Sequence, residues 1–298
     1  MLSYEHSYHA GNHADLLKHA VFSLILQHLK QKDTPFTVID SHAGNGVYSL
    51  EDERAQKTGE AQAGVLSYLA QLENVSFVKE HYKAVSQLEQ FNDTCKLYAK
   101  HKLYAGSPEI ARCLLRKGDE LILSELHPQT IEALKAAMQQ RPLFGSQAIQ
   151  PHIHYRNGFE LLAALPPPKR GVALVDPSFE ELSDFTDCTN TLCELHKKWK
   201  NGIIALWYPL TMTKGLACSR MRQALISYAQ NTAQEPNVLD VQLTVRPSSS
   251  LQGNAALYGS GMLILQYPYL LDKQLEVILP FLAAALGGAQ GKSSVRVY

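Results

Sequence analysis

Short apolar runs that stop on a polar or acidic residue recur along this chain, and they constrain its fold more than any other feature. Pro35 precedes Phe36 to Ile39, which ends at Asp40; similar runs follow at Leu121 to Glu125, Ile153 to Asn157, Val172 to Asp176 and Ile203 to Tyr208. Helical patterns lie between them, the clearest being Asp15 to Lys30, where Leu16, Leu17, Ala20, Val21, Leu24, Ile25 and Leu29 recur at helical spacing and predict one buried face. Strands alternating with helices make a mostly parallel sheet covered on both faces, whose ligands bind at the carboxyl ends of the strands. The last third departs from this rhythm. Val238 to Val245 and Gly261 to Tyr267 are β-prone and joined by a Ser- and Gly-containing connection, so they predict an antiparallel hairpin that closes the sheet.

The interval from Gly46 to Glu125 is too long for one strand-helix-strand unit, which puts the next strand-end acid about 20 residues after a glycine loop. About 60 residues are surplus by that measure. Ala61 to Leu72 and His81 to Phe91 both run in helical period without a β-rich stretch. The expected fold class is therefore α/β, a Rossmann-like domain formed by residues 1–51 and 106–298, with an inserted helical subdomain at 52–105.

Composition removes several function classes. The 298 residues carry 28 Lys and Arg against 28 Asp and Glu, so a nucleic-acid partner has to be held by a local basic patch, with modest and salt-sensitive affinity. Cys95, Cys113, Cys188, Cys193 and Cys218 are odd in number and show no CxxC spacing, which argues for reduced thiols over a disulfide framework or thiolate zinc site. No apolar span reaches 18 residues, and Val21 to Leu26 is too short for a signal peptide, so the expected location is the cytoplasm, with no membrane partner.

The chemistry gathers at the strand ends. Asp40-Ser-His-Ala-Gly44-Asn-Gly46 follows a strand and is expected to precede a helix, so its glycines would let backbone N–H groups approach a ligand. Glu125 is suited to accept from two ribose hydroxyls, and Asn157-Gly158 ends the strand where an adenine would lie. The plainer alternative is that Gly44 and Gly46 form a turn and Glu125 caps a helix. Asp176-Pro177-Ser178-Phe179 has the form of the Asp-Pro-Pro-Tyr/Phe motif of amino-methyltransferases. The exocyclic amine of adenine is a poor nucleophile, because its lone pair is delocalised into the ring. It has to be oriented by acceptors on its N–H groups, here the Asp176 carboxylate and the Pro177 carbonyl, while Phe179 would stack on the base. The plainer alternative is an ordinary Asp-Pro turn.

His6, His9, His13 and His19 crowd the first 20 residues, and the His9/His13 spacing suggests a metal pair. No acidic or thiolate ligand stands at a helpful spacing, so no metal is expected; contact with a ligand carboxylate or with phosphates suits these imidazoles and Lys18 better. A hydrolase is set aside, since Gly259-Ser-Gly261 lacks the spacing of a nucleophile elbow. Basic clusters occur at Arg112, Arg116 and Lys117, at Lys169 and Arg170, and at Lys197, Lys198 and Lys200. Lys169, Arg170 and the helical insertion are expected to flank the strand-end site and an RNA backbone.

From end to end the chain resembles the RlmJ-type family of 23S ribosomal RNA adenine-N6 methyltransferases, also known as external-DNA-utilisation proteins. The most specific stretch is Leu2-Ser-Tyr4-Glu-His6-Ser-Tyr-His-Ala-Gly-Asn-His-Ala-Asp15 with Leu17-Lys18-His19. Further matches are Asp40-Ser-His-Ala-Gly44, Gly106-Ser-Pro108, Glu125-Leu-His-Pro128, Ala205-Leu-Trp-Tyr-Pro209 and Gly259-Ser-Gly-Met262. The resemblance implies a Rossmann-like methyltransferase fold, S-adenosylmethionine as donor and the adenine at position 2030 of 23S rRNA as acceptor, taken as naked RNA or an early assembly intermediate, with no obligate protein partner. It also implies that His19, His42, Gly44 and Ser107 contact the donor, Glu125 its ribose, and Asn157 and Gly158 its adenine. Asp176, Pro177 and Phe179 would hold the target base, and Tyr4, His6 and Lys18 would line the entrance or the RNA side. Two departures stand out: Asn157 replaces the usual Asp, and Ser178-Phe179 replaces Pro-Tyr, which loosens the turn. A nucleic-acid-binding protein with a degenerate site is the alternative these departures motivate. A nicotinamide dehydrogenase would share the glycine loop but leaves the Asp-Pro-Ser-Phe motif without a purpose.

Overall fold

The computed structural model describes residues 9–143, 149–232, 237–248 and 257–298; Tyr4 and His6 lie outside the described residues. Its centre is β1 (Thr37–Asp40), four residues buried on both faces. Side chains alternate along a strand, so Val38 enters the apolar cluster on one face of the sheet and Ile39 the cluster on the other. β1 pairs in parallel with β4 (Glu120–Glu125) on one side and with β6 (Gly171–Val175) on the other. β5 (His152–Tyr155) extends the β4 side in parallel, and β7 (Ile203–Thr211) extends the β6 side. The chain winds outward from β1 to β5, then crosses back to β6, which opens a crevice above the carboxyl ends of β1, β4 and β6.

The expected C-terminal hairpin is present as β8 (Val238–Thr244) and β9 (Leu257–Leu265). β9 inserts beside β7 and β8 lies outside it, giving an eight-stranded order of β10-β8-β9-β7-β6-β1-β4-β5. The edge strand β10 (Lys292–Val297) has no apolar run to announce it. Two motifs that are far apart in sequence meet at the β7/β9 seam, where Tyr208 stands opposite Gly261. Tyr208 is fully buried and donates to Asp240 Oδ1 at 2.5 Å, with the Arg222 guanidinium 4.9 Å above its ring. Gly261 is glycine because a Cβ there would overlap that ring. Pro209 is tolerated within β7 because the pairing with β6 has already ended at Leu206.

After Gly46 the chain does not enter a helix, as expected, but a short strand, β2 (Val47–Ser49), paired antiparallel with β3 (Leu103–Ala105). Between them lie α2 (Glu53–Thr58), a π turn at Gln62–Leu66, α3 (Ser67–Glu73), α4 (Val75–Glu80), α5 (Tyr82–Gln87) and α6 (Glu89–Lys100). The excursion returns at Gly106, whose N–H donates to Gly46 O at 2.8 Å, and only then does α7 (Ser107–Leu114) begin. The helix that normally follows a glycine loop is thus delivered to it from beyond the insertion. Gly64 bends the π turn so that Val65 N reaches Gly11 O at 2.8 Å; a Cβ on Gly64 would overlap that carbonyl. Tyr68, Phe91 and Tyr98 of the insertion join the same apolar cluster as Phe281 of α12 (Leu271–Gly287).

This packing corrects the expectation for the first helix. α1 (His13–Lys30) is buried on nearly every side, because the sheet covers one face while α12 and the insertion cover others. The polar Asp15, Lys18, His19 and Ser23 are consequently interior residues. Among the described residues no helix is long and apolar enough to cross a membrane.

Gly261→Ala forces the Tyr208 ring out of its buried seat. We expect a loss of about 1–3 kcal/mol of stability from overpacking, measured by urea unfolding; an unchanged midpoint and slope would refute the close packing of the two motifs.

Candidate active site

A cavity of about 880 Å³ opens above the carboxyl ends of β1, β4, β5 and β6. His19, His42, Gly44, Ser107, Glu125, Asn157, Gly158, Asp176, Pro177, Phe179 and Lys18 all line it. At the β1 end, Gly44 and Gly46 adopt φ of +61° and +76°, which glycine reaches without strain. Glu125, at the end of β4, accepts from Gly44 N at 2.9 Å through Oε2, and from Leu126 N and His127 N at 2.8 Å each through Oε1. One carboxylate therefore ties two loops together and still has lone pairs to offer, since two oxygens accept about four bonds. Asn157 N-caps α9 (Gly158–Ala164), its Oδ1 accepting from Phe159 N at 2.9 Å and Glu160 N at 3.3 Å. An aspartate would cap in the same way, so the departure at 157 is conservative for the helix start. Gly158 follows as a close approach: a Cβ there would overlap Ser41 O.

At the β6 end lies an ion set that the sequence does not announce. Lys18, only 4% exposed, sits 2.9 Å from Asp15 Oδ1 and pairs with Asp176 Oδ2. Asp15 is held by Gly11 N at 2.9 Å on its other oxygen. Burial alone would push the lysine pKa down, but the Asp15 and Asp176 carboxylates outweigh it and hold the ammonium well above its ordinary value. The resemblance implied that Lys18 lines the entrance or the RNA side; the structure places it on the inner wall of the cavity, against Asp176. The reason is the all-round burial of α1, where a charge persists only when paired. The i,i+3 spacing of Asp15 and Lys18 was the available signal.

Phe179 also differs from expectation. Its ring is fully buried, 4.5 Å from the Phe185 ring and 6.3 Å from Trp207, and presents no open face for a base to stack on. Its backbone holds a φ of +51°. His19 is likewise interior, Nδ1 lying 2.7 Å from the Tyr104 hydroxyl. His42 Nδ1 meets Ser41 Oγ at 2.9 Å, and burial pushes its pKa down to about 4. His9 and Asn12 both bond the Glu60 carboxylate of the insertion, at 2.8 and 2.9 Å, a clamp the sequence did not suggest. Among the described residues no cluster of His, Cys, Asp and Glu is arranged to hold a metal.

The basic clusters fall elsewhere. Arg112 is buried and paired with Glu109 at 2.7 Å. Arg116 and Arg170 stack on Phe36 at 5.6 and 5.5 Å, and Arg170 donates to Thr34 O at 2.8 Å. Lys169, Lys197, Lys198 and Lys200 gather in a shallow surface pocket with Pro167 and Pro168. Lys169 and Arg170 immediately precede β6 and Lys200 precedes β7, so these groups mark the amino ends of the strands, opposite the cavity. The expectation that Lys169 and Arg170 border the strand-end site is thereby corrected.

A parallel sheet that reverses at β1, with an antiparallel strand set beside β7 and its cavity over acidic strand ends, is the architecture of the Rossmann-like methyltransferases. The family described as Ribosomal RNA large subunit methyltransferase D, RlmJ, matches residues 33–297, and the chain belongs to it. Ribosomal RNA large subunit methyltransferase J of Escherichia coli K12 is 37% identical over 288 residues, covering 96% of this chain and 94% of the relative. The protein of the same name from Haemophilus influenzae is 34% identical over 295 residues, with coverage of 96% and 94%. A crystal structure from Legionella pneumophila shares the fold, with a TM-score of 0.80 at 24% identity over 97% of this chain and 98% of that one. The protein is a ribosomal RNA methyltransferase.

Three titrations govern how stability around this site depends on pH. His42 and His13 are both pushed by burial to about 4 from 6.5, so the stability they support is present above 6.5 and lost as pH falls toward 4. Asp40 is pushed by burial up to about 6 from 3.8, so its contribution runs oppositely, present at low pH and lost as pH rises through 6. The two trends partly cancel. Asp40→Asn removes the opposing one and should steepen the loss of stability on acidification from about pH 6.5 to 4, measured by urea unfolding across that range. Parallel slopes in variant and parent would contradict these environments.

Proposed function

We propose that this chain transfers a methyl group from S-adenosylmethionine to the N6 amine of one adenine in 23S rRNA, the adenine at position 2030 that the family resemblance implies. The observation that carries the reading is Asp176-Pro177 at the end of β6, in one cavity with Gly44, Glu125 and Asn157 and with the Asp176 carboxylate paired to buried Lys18. The residues present fit the donor. Glu125 and Asp176 bring carboxylates to two strand ends on the cavity, suited to ribose hydroxyls and a positively charged group, and the Gly158 approach leaves a cradle that a Cβ would fill. When bound, the donor supplies an electrophilic methyl on a positively charged sulfur.

Everything else falls to the chain. Glu125 and Asn157 hold the ribose and adenine ends, while the glycine loop lets the backbone approach closely. The Asp176 carboxylate and the Pro177 carbonyl accept the two N–H bonds of the target amine and turn its lone pair toward the methyl. Lys18 fixes the second oxygen of Asp176, leaving the first to face the amine. As the new N–C bond forms and the S–C bond breaks, the proton lost from N6 passes to Asp176 or to water. The near-neutral chain binds RNA through few phosphate contacts, so much of the selectivity rests on seating a base in this cavity.

The test uses labelled S-adenosylmethionine and deproteinised 23S rRNA from cells lacking the protein, with N6-methyladenosine resolved by mass spectrometry after digestion. Asp176→Ala should abolish product, a loss of at least about 100-fold, while donor binding persists, because Lys18 keeps its pairing with Asp15. Full activity in the variant would sink the role assigned to Asp176.

A further inference from the structure

We propose that Lys214 is a positioning residue for methyl transfer, clamping the turn that carries Asp176 and Pro177 and supplying the rigidity that a second proline at 178 would give. The inference rests on the reading of Asp176 and Pro177 as the acceptors of the target amine.

The turn has a mechanical problem. Pro177 has a fixed φ, but Ser178 is exposed and has no ring to fix its own, and the next residue, Phe179, holds a φ of +51°, which L-residues seldom adopt. The ring of Phe179 is anchored on Phe185. Its main chain is anchored by Lys214, whose Nζ donates to Phe179 O at 2.5 Å and to Glu180 O at 2.9 Å. These are charge-assisted bonds to two successive carbonyls, so the ammonium restrains the backbone just where Ser178 leaves it loose.

The clamp is itself fixed. Lys214 N donates to Thr211 Oγ1 at 3.3 Å at the end of β7, and Lys214 O accepts from Cys218 N at 3.0 Å at the start of α11 (Gly215–Thr232). β7 runs beside β6 with Leu206 opposite Val175, the residue before Asp176. Its register against β9 shifts between Leu210 and Thr211, a bulge of the kind that re-aims the chain beyond it. Lys214 thus refers the Asp176 turn to the neighbouring strand, 35 residues distant from Phe179 in sequence. Transfer depends on near-attack geometry, in which a displacement of about 1 Å can lower the rate about 100-fold.

The experiment measures turnover, RNA KM and donor Kd on 23S rRNA for the full chain, Lys214→Met, Lys214→Arg, Ser178→Pro and the Lys214→Met/Ser178→Pro double variant. Lys214→Met should lower kcat about 10- to 100-fold, with KM and donor Kd within about three-fold of the parent. Lys214→Arg should recover most of that loss, and Ser178→Pro should raise kcat by a larger factor in the Met variant than in the parent. Donor-binding stoichiometry reports the folded fraction, so that kcat is counted per folded site. Parental kcat in Lys214→Met would overturn the proposal. So would a rise in RNA KM at constant kcat, which marks a phosphate contact, or an equal effect of Ser178→Pro in both backgrounds. A parent that makes no N6-methyladenosine would overturn the underlying reading and this inference together; a normal parent with a normal Met variant overturns this inference alone.

Discussion

A single buried ammonium organises the site. Lys18 is reached by no appreciable solvent, and its charge is held by Asp15 on its own helix and by Asp176 at the end of β6. Removing Lys18 from such a set would leave two buried carboxylates uncompensated, at a cost of about 3–5 kcal/mol, so the ammonium binds helix and strand end into one arrangement. The rest follows from placing α1 where it can make that contact. The sheet lies beneath the helix, α12 and the insertion cover it, and the Gly64 bend brings the insertion backbone against Gly11, directly before the helix. Glu60 adds a second tie through His9 and Asn12. The insertion is thereby part of what seats the Asp176 carboxylate, at a distance.

Strand ends were legible because they obey local rules. A strand buried on both faces reads as a continuous apolar run, and it stops where the chain meets solvent or ligand, so the sequence alone assigns Glu125, Asn157 and Asp176 to one crevice. The hairpin β8/β9 was legible from its β-branched and aliphatic content. What depended on tertiary placement was not. The helical period of α1 signals one buried face, and nothing local says that its opposite face is covered too, so Lys18 is expected at the entrance or the RNA side and its ion pairing is not. The ring of Phe179 read as an open platform because its backbone sign is invisible in sequence. β2 and β3 are three residues each and pair across the whole insertion, too short and too remote for pattern to show.

Charge placement carries a similar lesson. Clusters of Arg and Lys in a sequence suggest a nucleic-acid face, yet here Arg112 neutralises an interior glutamate, Arg116 and Arg170 stack on Phe36, and the lysines near Lys200 stand below the sheet. The cavity itself is lined by a mixture of carboxylates, imidazoles, amides and backbone groups. That favours recognition of one extruded base over capture of a polyanion by a uniform field. Asn157 and Ser178, the two departures from the family pattern, weigh unequally: the first keeps the helix cap intact, and the second shifts the burden of holding the turn to side chains.

The most direct test is a structure of the enzyme with the demethylated donor product and an RNA bearing the target adenine. The account predicts N6 within hydrogen-bond reach, about 2.6–3.2 Å, of both the Asp176 carboxylate and the Pro177 carbonyl, with Lys18 still paired to Asp176. An adenine whose N6 points away from these two acceptors, or an Asp176 engaged only with Lys18, would contradict it.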